Sequence, residues 1–134
     1  MIKPNELRLG NWVYDSKYTK YLMQVVCIGS DYVYLDFDGN EGDLWETTPE
    51  ELQGIPLTEE LLTKMGFEFN GTGLWNKVEK RRAVSVNLSR EFVFIEAYDK
   101  RLLDSRGWHH GVKYLHELQN IFRSMTKENL SVEL

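Results

Sequence analysis

The chain has 134 residues, 42% of them hydrophobic and 28% charged, which suits one globular core or two small ones and excludes a disordered chain. No apolar run is long enough to span a bilayer and the opening MIKPNELRLG lacks the apolar centre of a signal peptide, so a cytoplasmic location is expected. The net charge of −5 conceals a division: Tyr21 to Thr63 holds ten acids and no lysine or arginine, whereas Lys64 to His116 carries a positive excess.

In chain order, Asn5 to Leu9 predicts a single turn. Gly10 then opens a strand over Asn11 to Tyr14, and the polar stretch Asp15 to Lys20 turns the chain. Tyr21 to Ile28 reads as a strand by its β-branched and apolar content, with Cys27, the only cysteine, expected as a buried, inert thiol. Tyr32 to Phe37 alternates. Val33, Leu35 and Phe37 should face a core and Tyr32, Tyr34 and Asp36 should face water. Asp38 and Gly39 mark a hairpin, and Leu44 to Glu46 is the returning strand. Thr48, Pro49 and Glu51 occupy N-cap, N1 and N3 of a one-turn helix that Gly54 ends. Several short strands closed by a helical turn predict a small SH3-like barrel over residues 1–57.

The stretch IPLTEELLTKMGF is the one segment whose start, body and stop are all written locally. Thr58 is the N-cap, Leu57 and Leu62 have the spacing of a hydrophobic staple, and Glu59, Glu60 and Lys64 complement the helix dipole. Gly66 in the left-handed C′ position would bring Phe67 onto Leu62. Two hairpin strands follow around Asn70, Gly71, Thr72 and Gly73, then Val84, Val86 and Leu88 alternate with Ala83, Ser85, Asn87 and Ser89, and Phe92 to Ala97 makes another strand. Asp99 to Gly111 reads mostly as loop. A helix over Val112 to Thr126 should present Leu115, Leu118, Ile121, Phe122 and Met125 on one stripe, with His116, Glu117, Asn120, Arg123 and Ser124 opposite. The tail adds a short strand through Leu130 and Val132. The expected class is α+β: an SH3-like half over 1–57, then a joint helix and an antiparallel sheet covered by the C-terminal helix over 58–134.

ELRLGNWV, IPLTEELLTKMGF and VKYLHELQNIFRSMTKENL together resemble a family of small proteins of unassigned activity common in gut Bacteroidetes genomes and in their prophages and mobile elements. Its members show a similar R-x-GN-x-V opening, P-I-P-L-T-E-E joint and closing H-x-L-Q-N-L-Y-F-A-L-T-G-E-E-L helix. Here Gly54 stands for the first proline of the joint, Phe122 to Met125 for Y-F-A-L, and Lys127 for a glycine. The resemblance implies a bacterial cytosolic protein of phage or mobile-element origin and no particular activity.

Among candidate sites, Asp36, Asp38, Asn40 and Asp43 bunch oxygen ligands around two glycines. EF-hand spacing fails, because counting from Asp36 puts Glu41 and Thr47 at the glycine and glutamate positions. Gly71 and Gly73 lack the following helix of a phosphate loop. His109, His110 and His116 have no second cysteine or H-x-x-x-H partner, so the histidines are read as surface residues, His116 as a helix cross-link beside Gln119 and Asn120, and a histidine enzyme is the third reading. No catalytic residue, metal or cofactor is expected. The first reading is a non-catalytic interaction module that docks a basic protein on Tyr32, Tyr34, Asp36, Asp38, Glu41 and Asp43. The second is a nucleic-acid binder. It would use Trp75, Lys77, Lys80, Arg81, Arg82, Arg101, Arg106 and Trp108, together with Arg90 and Lys100, since bases stack on rings beside charge.

Overall fold

A computed structural model of the chain describes residues 2–37, 42–79, 82–97, 108–132 and 134, and at residues 20, 97 and 108–110 the backbone alone. The fold is α+β with antiparallel sheets, and it divides into two compact units, Met1–Pro56 with Tyr114–Asn120 and Leu57–Lys113 with Ile121–Leu134. Among the described residues no helix is long and apolar enough to cross a membrane.

The first unit opens with a 3-10 turn over Pro4–Glu6, followed by β1 (Trp12–Asp15), β2 (Tyr18–Ile28), β3 (Val33–Asp36), β4 (Trp45–Thr47) and β5 (Leu52–Gly54). These strands form one curled sheet in the order β4-β3-β2-β1-β5. Alternation decides what is buried: Val13, Met23, Val25, Val33, Leu35 and Leu52 point to one side and, with Ile2 and Leu7, make the core. Each such aliphatic side chain contributes about 1.5–3 kcal/mol by leaving water.

Several local expectations change. The polar turn shrinks from Asp15–Lys20 to Ser16 and Lys17, because the Asp15 carboxylate accepts the Lys17 N–H at 2.9 Å and Tyr18 already pairs with Asp15. Thr48 makes no side-chain cap and the turn after it, Pro49–Glu51, is 3-10. Glu51 is drawn instead to Ser16 Oγ at 2.8 Å and Lys17 Nζ at 3.7 Å. Gly54 does not stop the chain but ends β5, a three-residue strand too short to show a period and defined only by its pairing with β1. Cys27 is exposed rather than buried. A register shift between Val25 and Cys27 sets it opposite Tyr34, on the side away from the core.

α2 (Leu115–Thr126) begins three residues later than expected. Glu117 Oε1 accepts the Tyr114 N–H at 2.9 Å, the reaching-back half of a capping box, and Leu115 N donates to Ile55 O at 2.8 Å. The cross-link expected of His116 is made by its neighbours. Gln119 accepts the Trp12 N–H at 2.9 Å and donates to Gly10 O at 3.0 Å, while Asn120 accepts from Asn11 Nδ2 at 2.8 Å and donates to Glu6 O at 2.6 Å. Asn11 is buried and also receives the Arg8 N–H, and Gly10, at φ +90, lets the chain enter β1 while bonding Val25 O.

The second unit holds α1 (Glu59–Lys64) and a sheet of β6 (Glu68–Phe69), β7 (Trp75–Glu79), β8 (Arg82–Asn87), β9 (Phe92–Ala97) and β10 (Trp108–Gly111), in sequential order. The ends of α1 are as expected: Thr58 Oγ accepts the Leu61 N–H at 3.1 Å. Gly66 sits at φ +88, and Phe67 N and Gly66 N close on Leu62 O and Thr63 O, a Schellman ending. Val84, Val86, Val93 and Ile95 are buried, but Leu88 lies in the turn after β8 and not on the strand. β10 falls within the stretch expected as loop; among the described residues its one partner is β9, so no pattern of its own announces it. The described tail forms no strand. Leu130 is buried and Ser131 N donates to Glu79 Oε1 at 2.9 Å. Lys127, standing where the resemblance has glycine, has φ +61.

Candidate functional site

On β3 the alternation that buries Val33 and Leu35 turns Tyr34 and Asp36 outward, and on β4 Glu46 lies opposite Tyr34. The Tyr34 hydroxyl donates to Glu46 Oε1 at 3.0 Å, and this carboxylate partner holds the phenol pKa above its ordinary value. Asp36, Asp43 and Glu46 are exposed. Tyr32 is exposed as well and immediately precedes β3. Asp38 and Glu41 lie outside the described residues.

The structure also assembles four rings into one group. Tyr18 stacks on Tyr21 with centroids 5.5 Å apart, Tyr21 meets Phe37 at 5.1 Å, Phe37 meets Trp45 at 6.5 Å, and Trp45 returns to Tyr18 at 5.2 Å. Phe37 and Trp45 pack against the core, whereas Tyr18 and Tyr21 are 43% and 39% exposed, so the four rings carry the core out to a surface rim. Asp15 fixes the rim from beneath. Its Oδ2 accepts Trp45 Nε1–H at 2.7 Å, and the residue is only 1% exposed. Burial pushes the Asp15 carboxyl up, but hydrogen bonds from Trp45, the Lys17 backbone and Thr47, aided by the Lys17 charge, outweigh it and hold the group below its ordinary value. The one sequence signal for this rim was aromatic content. Pairing across β2, β3 and β4, with Tyr18 in what reads as a turn, is a tertiary fact.

Of the basic set, Trp75 and Lys77 share the face of β7 that pairs with the buried Val84 and Val86. Trp75 lies against Phe69 at 5.2 Å. Lys77 Nζ is 3.6 Å from Glu79 Oε2, 3.5 Å from Ser131 O and 5.9 Å from the Phe67 ring centre. Its charge is therefore engaged within the unit. Arg82 and Arg90 are described, half-buried and exposed respectively; Lys80, Arg81, Lys100, Arg101 and Arg106 lie outside the described residues, and Trp108 is placed by its backbone in β10.

His109 and His110 follow Trp108 in β10, again by backbone alone. His116 departs from the surface reading. It is 2% exposed, stacked at 5.9 Å on Tyr114, and neither ring nitrogen has a hydrogen-bond partner among the described residues. Such an unmet buried polar group costs about 1–3 kcal/mol. Burial lowers the imidazole pKa and outweighs the opposing charges of Glu117 and Glu6, so the ring is neutral at pH 7. Tyr114 is held in turn against Gly54, where an added Cβ would come within 2.5 Å of its Cγ. Among the described residues no three His, Cys, Asp or Glu side chains group as metal ligands. No family model matches the sequence, and neither a curated protein nor a solved structure matches the chain.

Proposed function

We propose that this protein is a non-catalytic interaction module whose first unit captures a basic segment of a partner protein. The observation that carries the reading is the four-ring rim of Tyr18, Tyr21, Phe37 and Trp45, whose connection from Phe37 to Trp45 holds acids and no cationic residue. Exposed rings attract lysine and arginine through their π faces, and the stretch Tyr21 to Thr63, with ten acids and no lysine or arginine, gives the unit a complementary charge. The strand order with a 3-10 turn before the last strand also supports an SH3-like barrel for this unit, a scaffold on which aromatic surfaces dock extended peptides. The biological setting implied by the resemblance is an accessory protein of a phage or mobile element.

Fluorescence anisotropy with labelled peptides tests this. A lysine- and arginine-rich peptide should bind, its affinity should fall with added salt, and Tyr21→Ala and Asp36→Lys should each weaken it by about tenfold or more without changing the circular dichroism spectrum. Unchanged affinity in both variants would sink the reading.

A further inference from the structure

The first unit contains a cavity of about 610 Å³ whose lining includes Glu6, Tyr14, Thr19, Tyr114, His116 and Glu117. That volume suits a small molecule rather than a peptide. Its chemistry is one-sided. Two carboxylates and two tyrosines line it, and no lysine or arginine is among the described lining residues. His116 adds a neutral, buried ring whose two nitrogens have no hydrogen-bond partner among the described residues, so hydrogen-bonding capacity is left unmet in this wall.

The surrounding wall is fixed before any ligand arrives. Tyr114 is wedged against Gly54 and stacked on His116, Glu117 Oε1 receives the Tyr114 N–H at 2.9 Å, and the backbone beside the Glu6 side chain is held by Asn120 Nδ2. Preorganised acceptors of this kind favour a ligand rich in N–H donors and disfavour anions, while the tyrosine rings favour positive charge over a neutral alcohol.

We propose that this cavity binds a small organic cation carrying an amine or guanidinium group. The cation's N–H groups meet Glu6 and Glu117, and its carbon chain lies along the tyrosines. Peptide capture at the aromatic rim uses different side chains, so either activity can be lost without the other.

Isothermal titration calorimetry on the full chain with agmatine as the probe tests the proposal, with 1,4-butanediol and γ-aminobutyrate as neutral and zwitterionic comparators of similar length. Agmatine should bind and the comparators should not. Glu6→Gln should weaken agmatine about tenfold, the loss of one charge-assisted contact, while keeping the fold, because it is the Glu6 backbone oxygen that receives Asn120. Asp36→Asn, on the outward face of β3 and not among the cavity's lining residues, should leave the affinity unchanged. Absence of agmatine binding, equal binding of butanediol, or an affinity that falls with Asp36→Asn and not with Glu6→Gln would each overturn the assignment.

Discussion

Asp15 and His116 are both ionisable groups placed inside the first unit, and their surroundings set opposite charge states. The Asp15 carboxylate has its donors in place, with Trp45 Nε1 at 2.7 Å and Lys17 N at 2.9 Å, so its folded pKa lies below the unfolded one. It stabilises the fold above an unfolded pKa of about 3.9, and that contribution is lost as pH falls through the folded value. His116 is depressed as well, by burial of its cationic form, so its linkage to stability has the same sign. Below about pH 6.5 the unfolded chain takes up a proton that the buried ring resists, and stability declines until the folded pKa is passed. Urea unfolding at pH 7, 5.5 and 3 should therefore show two stages of loss. His116→Leu should abolish most of the upper stage, and Asp15→Asn the lower one, at a cost of about 1–3 kcal/mol already at pH 7. An upper stage that survives intact in His116→Leu would mean that this ring does not report the transition.

At the scale of elements, two glycines separate two reasons for the same residue. Gly54 ends β5 with an ordinary backbone but lies under Tyr114, where a Cβ would meet Cγ at 2.5 Å and Cδ1 at 2.7 Å. Gly71, in the loop between β6 and β7, has φ +86 and nothing within 4 Å of the added carbon. Gly54→Ala should destabilise by about 1–3 kcal/mol through steric displacement of Tyr114, and should perturb the Tyr114 ring resonances in NMR spectra. Gly71→Ala should cost about 1 kcal/mol through backbone strain alone and leave those resonances in place. If Gly54→Ala proves neutral, β5 and Tyr114 are less tightly apposed than the geometry requires.

For the whole molecule, the chain order and the spatial grouping differ. A division after residue 57 is natural in sequence, yet the first unit also takes in Tyr114–Asn120. Gln119 and Asn120 satisfy the Trp12 N–H, the oxygens of Gly10 and Glu6, and the amide of Asn11, across 107 to 114 residues of chain. A fragment of residues 1–56 should consequently be unfolded or only marginally stable by NMR chemical-shift dispersion, because those groups lose their partners and the fragment is small for a self-sufficient core. A well-dispersed, cooperatively melting 1–56 fragment would count against this role of α2.

What the sequence by itself determined is what neighbours along the chain can determine. The caps of α1 are local, with Thr58, Gly66 and Phe67 each bonding within a few residues, and the alternation of β3 and β8 follows from a pleat that repeats every two residues. The acidic character of Tyr21 to Thr63 is likewise a matter of counting. The tertiary structure alone decided which short segments became β5 and β10, since a strand of three or four residues is defined by its partner. It also decided that a bulge exposes Cys27, that four rings separated in sequence meet at one rim, and that His116 lies inside. Gln119 and Asn120 on the same helix find bonding partners far away in the chain, while His116 is buried with no hydrogen-bond partner among the described residues.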